Sequence, residues 1–403
     1  MSVPRPLAIR WHVPMVGRDP AESHRVSTPL ELLFDLCFVV AVGQAGAALH
    51  HELAQGEYAH ALVSYVLVFF AIWWPWVNFT WFASAYDTDD VPYRLITFVQ
   101  IAGVLVMAAG VSSAFTSLDF RVMVVGYVIM RIALVGQWVR CAIEDPASRG
   151  TALRFAAGIT LVQVGWVLRI VIGPPAAIGF VAFGILGLLE LVIPVFAERT
   201  GGRLTPWHPD HITERYGLFT IIVLGECVLA ATTAAQAALS TGPASGSLVA
   251  VAGGGIILVC ALWWSYFKRP DGILEDASMR MAFAWGYGHY VIFASVAAIG
   301  AGLQLAVDST HGATTLPPAA VALTVALPAA IYLVAAGLLH AGPAARGLLE
   351  PIGIGSAMLV LAAISATWIG VPAAVLAIGL IVAGLVAVNV ATAQSATNDR
   401  VND

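Results

Sequence analysis

A chain of 403 residues that is 59% hydrophobic and 11% charged, with a mean hydropathy of +0.86, lies far from the soluble average of roughly 25% charged and reads as a polytopic membrane protein. The net charge of -5 and a single lysine, Lys268, exclude the basic stripe with interleaved aromatics of a nucleic-acid binder. Four cysteines, Cys37, Cys141, Cys227 and Cys260, show no CxxC pairing; they exclude a disulfide framework or zinc site and read as buried, inert thiols.

Residues 1–26 lack the apolar core of a signal peptide and are expected to form a cytoplasmic N-terminal arm. A bilayer core needs about 20 mostly apolar residues per helix. Sliding that requirement along the chain predicts an all-α fold of about twelve transmembrane helices, near 29–50, 61–84, 94–115, 120–142, 152–173, 176–196, 212–238, 247–267, 279–305, 318–340, 348–369 and 371–391. Residues 392–403 form a cytoplasmic tail. With the N-terminus inside, sixteen of the nineteen basic residues fall at inner ends, as the positive-inside bias requires.

The order of features suggests two parallel six-helix repeats, 27–200 and 201–391, related by an axis along the membrane normal. Trp73-Trp74 leads to DDVPYR and Arg94; Trp263-Trp264 leads to EDASMR and Arg280, 186 residues later. LLFDLCFVVAVGQ in the first span corresponds to GLFTIIVLGE in the seventh, with Phe34 and Phe219 separated by 185 residues.

In the first span Glu31 and Asp35 share one helix face. Glu31 suits the inner interface beside the positive helix end; Asp35 lies a turn deeper, and Gln44, deeper still, needs a partner across the bundle. In the seventh span Glu214 and Arg215 fit the interface, whereas Glu226 falls near the midplane. Expected partners for Glu226 are Arg131, mid-span in GYVIMRIALVGQW, and Arg169. Asp90 with Arg94 and Asp276 with Arg280 read as helix caps and one-turn acid–arginine pairs. His289, in WGYGHYVIF, is either a packing histidine or a proton relay. HPDHITE has metal-ligand composition without ligand spacing, and no metal or cofactor is implied. Gly253-Gly254-Gly255 reads as close helix packing. Trp73 and Trp74 lie too deep for an interfacial belt and are expected to pack or to line a cavity.

TPLELLFDLCFV, WWPWVNFTW, HITERYGLFTIIVLGE and LWWSYF resemble the signatures of the bacterial low temperature requirement protein A (LtrA) family, with the similarity running from about Ser27 to the last span. The resemblance implies a bacterial integral membrane protein linked by name to growth at low temperature, without a catalytic set to carry over. Cys37 and Cys227 depart from the pattern, as does Lys268, which stands where an Asp is usual. A second resemblance is to a family of potassium channels with two six-helix repeats, each opening with R-x-x-x-F-S-D. Arg215-x-x-x-Phe219-Thr220 and Phe34-Asp35 are incomplete copies of it.

An ion- or proton-linked permease or channel is expected from these residues. Its path would be lined by Glu31, Asp35, Gln44, Glu214, Arg215 and Glu226, with Arg131 and His289 as further candidates, and its partners are the lipid bilayer and a small ion or proton. The alternatives are a noncatalytic membrane protein for low-temperature or stress adaptation, and an intramembrane enzyme acting on lipid with Glu226 or His289 as acid or base. No catalytic motif supports an enzyme.

Overall fold

The computed structural model describes residues 10–22, 25–200, 202–243, 245–268, 274, 277–340 and 346–402. Among them are thirteen helices and no strand: α1 Pro29–Ala54, α2 Tyr58–Tyr86, α3 Val91–Ala109, α4 Val111–Ser117, α5 Arg121–Glu144, α6 Arg149–Ile172, α7 Ala176–Thr200, α8 Pro209–Thr241, α9 Gly246–Phe267, α10 Met279–Thr310, α11 Pro318–His340, α12 Arg346–Ile369 and α13 Val371–Asn402. Helices α3 and α4 meet at Gly110 and together make one apolar stretch, so twelve segments are long and apolar enough to cross a membrane. They coincide with the twelve spans expected from the sequence.

Local chemistry explains where the helices begin. Thr28 and Glu31 form a capping box on α1: the Thr28 N–H donates to Glu31 Oε2 at 2.7 Å and the Glu31 N–H donates to Thr28 Oγ1 at 3.3 Å. Pro29, at the first helical position, has no N–H to satisfy. Asp90 caps α3 by accepting from the Tyr93 N–H, as expected. In the second half the cap of α10 is Ser278, which accepts from the Met281 N–H, and Asp276 lies outside the described residues.

The chain forms two compact units. The first comprises residues 1–41 and 70–215, the second residues 42–69 and 216–403. In the first, α3, α5, α6 and α7 pack in sequence order; in the second, α10 packs on α11, α11 on α12, and α13 on both α12 and α9. The Trp pairs behave differently in the two units: Trp73 and Trp74 are buried, whereas Trp263 and Trp264 are about half exposed.

Small residues set the closest helix approaches. A side chain at Gly126 of α5 would run into the Met107 and Gly103 backbone of α3, and one at Gly254 of α9 would sit 2.7 Å from Leu376 Cα of α13. Gly254 therefore has the close-packing role expected of it, while a side chain at Gly253 would meet nothing within 4 Å. Gly254→Val is expected to destabilise the protein by about 1–3 kcal/mol through overpacking. Gly136→Ala, on an exposed helix position with open space beyond it, should stabilise by roughly 0.5–1 kcal/mol. Thermal unfolding in detergent reads both.

Candidate functional site

Two networks of buried charge lie within the first unit. The larger is centred on Arg215, the seventh residue of α8, whose side chain has no exposed surface. Its guanidinium bridges two carboxylates one turn apart on α1, with Nη1 at 3.1 Å from Glu31 Oε1 and Nη2 donating to Asp35 Oδ1 at 2.5 Å. Both carboxylates are also wholly buried. Trp76 Nε1 donates to Asp35 Oδ1 at 2.8 Å. His211, one turn before Arg215, reaches Glu31 at 3.2 Å, and Arg25 lies 3.7 Å from both Glu31 and Asp87. Burial, reinforced by the negative charge of Glu31, pushes the Asp87 carboxyl upward against the pull of Arg25.

Taken together, three carboxylates (Glu31, Asp35, Asp87) face two guanidiniums (Arg25, Arg215) and one imidazole (His211). Without a proton on the imidazole or on one of the acids, the group carries an unbalanced negative charge inside the protein. Burial makes that arrangement costly, so the network is suited to holding one exchangeable proton.

The second network joins α2, α5, α6 and α7 around Glu190. Arg131 Nη2 donates to Glu190 Oε2 at 2.8 Å and Trp74 Nε1 to the same oxygen at 2.9 Å. On Oε1, the Tyr127 hydroxyl donates at 2.7 Å and Gln163 Nε2 at 3.0 Å, while the Tyr127 oxygen accepts from Arg131. One acid meets one guanidinium here, and both carboxylate oxygens accept twice, so no charge is left over. Trp74 and Trp76 flank Pro75, which lies inside α2, and their indoles serve the two networks separately.

The N-terminal residues 10–22 are tied down by polar contacts of their own. Arg140 Nη2 donates to Asp90 Oδ2 at 2.6 Å and to the Val13 carbonyl at 2.7 Å; the Gly17 N–H donates to Asp145, and Arg18 Nη1 to the Asp87 carbonyl. Burial alone would raise the Asp90 carboxyl, but Arg140 and the backbone N–H groups of Val13 and Tyr93 outweigh it and hold it down at about 2.

Against the sequence expectations, Glu31, Asp35 and Arg215 come together as one group. Arg215 is fully buried, because its partners Glu31 and Asp35 stand on the first two turns of α1. Glu31 stands at the helix start, as expected, but is buried there. Glu214 is half-buried and accepts from the Ser27 N–H at 3.1 Å. Glu226 does not meet the expected arginines: Arg131 belongs to Glu190, and Arg169 Nε donates to the Gly179 carbonyl at 3.1 Å. Instead Glu226, half-buried in the second unit, lies over Gly43, where a missing side chain leaves it room. Gln44 is exposed and does not turn into the bundle.

His289 is fully buried in the second unit and hydrogen-bonded on both ring nitrogens, Nδ1 to the Trp285 carbonyl at 2.7 Å and Nε2 to the Tyr266 hydroxyl at 3.1 Å. That geometry is the packing alternative. Arg94 pairs with Asp89 at 2.7 Å on the surface, not with Asp90, which Arg140 engages; Arg280 is exposed. Of the HPDHITE histidines, His208 Nε2 contacts the Glu22 carbonyl at 2.8 Å and His211 contacts Glu31. Cys260 is exposed, whereas Cys141 and Cys227 are buried. Sequence reasoning passed over Glu190, His211, Arg25 and Asp87. Glu190 carries a visible signal as the one acid in the apolar run GFVAFGILGLLELVIPVF.

Twelve membrane-length apolar helices among the described residues, with buried, hydrogen-bonded ion networks inside the first unit, define a polytopic α-helical membrane protein. The model of the bacterial low temperature requirement A protein (LtrA) family matches residues 26–391, and the chain belongs to that family. It is similar to an uncharacterized protein of Rhizobium meliloti (strain 1021), 28% identical over 320 residues that cover 73% of each chain. No solved structure shows significant similarity to it.

Removing one member of the Glu190 network should be far worse than removing both. Arg131→Met leaves a lone buried carboxylate and is expected to cost about 3–5 kcal/mol, much of which Arg131→Met with Glu190→Leu should restore; thermal unfolding in detergent compares them. The N-terminal segment offers a second measurement. The lowered Asp90 carboxyl contributes stability that is fully present above the ordinary carboxylate value of about 4 and is lost as pH falls through about 2. Limited proteolysis by an acid-active protease should therefore begin to cleave residues 10–22 as pH drops through that window, and Asp90→Asn should be cleaved already at neutral pH by trypsin.

Proposed function

We propose that this LtrA-family chain is a proton-linked membrane transport protein, a permease or channel, whose proton is bound by the Glu31–Asp35–Arg215 network with His211 and Asp87. The observation that carries the reading is the charge balance. Three acids face two guanidiniums in a space closed to solvent, so each loss or gain of a proton changes the charge of a buried group. Ionisable residues inside membrane-spanning helices are rare, and proton and ion pathways are among the uses that retain them.

The chemistry assigns distinct tasks. Arg215 holds Glu31 and Asp35 as a fixed cation, since a guanidinium keeps its proton at any working pH. His211 and Asp87, at opposite sides of Glu31 and Arg25, are the two seats between which a proton can move, and Trp76 fixes the orientation of Asp35. In this reading Glu31, Asp35 and Arg215 gate and bind. The arginine distribution favours both termini in the cytoplasm of a bacterial plasma membrane. A role in growth at low temperature, which the family name suggests, would follow from maintaining ion balance in a stiffened bilayer.

Proteoliposomes carrying a pH-sensitive dye test the proposal. The wild-type chain is expected to move protons down an imposed gradient, and Asp35→Asn to slow that flux at least about tenfold, the factor given by ~1.4 kcal/mol. Arg94→Ala, on an exposed pair, should leave it unchanged. Flux no greater than in protein-free vesicles, with protons and with several metal cations, would sink the reading. A purely structural role for the buried charges would be indicated if Asp35→Asn lowered thermal stability and left flux intact.

A further inference from the structure

The second unit contains a groove of about 660 Å³ walled by α1, α2, α10 and α11, within the range of about 300–1,000 Å³ usual for ligand sites. Leu49, Leu53, Leu62, Leu323, Leu327 and Ile331 supply much of its wall. Of the wall's five hydroxyl residues, Tyr58, Tyr65, Tyr290, Ser295 and Thr324, three are turned to backbone. The Tyr65 hydroxyl donates to the Ala294 carbonyl at 2.6 Å, the Tyr290 hydroxyl donates to the Val66 carbonyl at 2.8 Å, and the Thr324 hydroxyl donates to the Val321 carbonyl at 2.7 Å. The two tyrosines form a reciprocal clasp between α2 and α10. They hold the groove's shape and leave its surface as carbon and ring faces.

One end of the groove differs. His50 follows Leu49 and stands one turn before Leu53 on α1, which places it on the rim. Its Nε2 meets Asp308 Oδ2 at 2.7 Å, with 25% and 21% of the two side chains exposed. Both residues lie in the last two turns of their helices, α1 ending at Ala54 and α10 at Thr310, where hydrocarbon gives way to headgroups. A hydrogen-bond donor and a carboxylate side by side complement the phosphate and ammonium of a zwitterionic headgroup. The remainder of the groove is mainly aliphatic and aromatic surface, which suits a hydrocarbon chain.

We propose that this groove is a binding site for a bilayer phospholipid, with one acyl chain between α2, α10 and α11 and the headgroup at His50 and Asp308. Because its walls lie in the other unit from Glu31 and Asp35, the site stands or falls independently of the proton network.

The full chain is reconstituted in nanodiscs of phosphatidylethanolamine and phosphatidylglycerol doped with a phosphatidylethanolamine bearing a photoreactive diazirine on one acyl chain. Labelled positions are mapped by mass spectrometry. Labelling is expected to concentrate at Leu62, Leu327 and Ile331 over exposed apolar positions of the first unit such as Leu161 and Leu188, and to be competed by excess unlabelled phosphatidylethanolamine. Ala298→Trp, which fills the groove from α10, should lower the groove label at least about fivefold, a change of ~1 kcal/mol in occupancy, with Leu161 and Leu188 unaffected. Should that variant fail to fold, Leu327→Trp at the groove's open edge serves the same purpose. Equal labelling of groove and reference positions, or no response to either tryptophan, would overturn the site. Competition by free fatty acid as effective as by phosphatidylethanolamine, unchanged in His50→Ala, would overturn the headgroup assignment and with it the proposed occupant.

Discussion

The bridge from Arg215 to Glu31 and Asp35 is the constraint on which the first unit depends. A guanidinium with no exposed surface cannot shed its proton, so it has to be met by anions placed within hydrogen-bond reach. Those anions come from one face of α1 at the spacing of a single turn, which fixes the register of α1 against the start of α8. The register in turn brings His211 to Glu31. Glu31 performs two tasks with one carboxylate, since the capping box that begins α1 uses Oε2 and the ion pair uses Oε1. Helix initiation and ion pairing are therefore joined in one side chain.

The two networks show how differently a membrane protein can treat buried charge. Around Glu190 every partner is a donor aimed at a carboxylate oxygen, and the single positive charge cancels the single negative one. That arrangement holds four helices together. Around Arg215 the acids outnumber the arginines, and an imidazole stands by. The contrast, within a single unit and under similar burial, is one of charge balance: one network closes on itself, and in the other the acids exceed the guanidiniums by one.

Much of this was legible in the sequence, and for physical reasons. Apolar length fixed the number of spans, because a bilayer imposes a minimum on each helix. The separation of Glu31 and Asp35 by four residues was enough to place both on one face, and the sequence DDVPYR was enough to place a cap at Asp90. Partners were harder to read. Arg215 stands near the start of α8, but its burial is set by what the neighbouring helix presents and not by distance from a helix end. Glu226 was given Arg131 because both looked deep; Arg131 was already matched by Glu190, an acid hidden in an unbroken aliphatic run. Asp89, one residue before the cap, took Arg94 because the cap had committed its oxygens to Tyr93, Val13 and Arg140. Pairing between distant helices is a tertiary property, and residue spacing along one helix does not encode it.

Trp76 has a consequence of another kind. Its indole N–H points at Asp35 Oδ1, so the electric field along the ring changes whenever that carboxyl gains or loses a proton. Indole absorption and emission respond to such fields, which makes this residue a built-in optical reporter of the charge beside Arg215. Trp74, fixed on the electrically balanced Glu190, is its natural reference. The protein carries its own voltmeter two residues from its own ground.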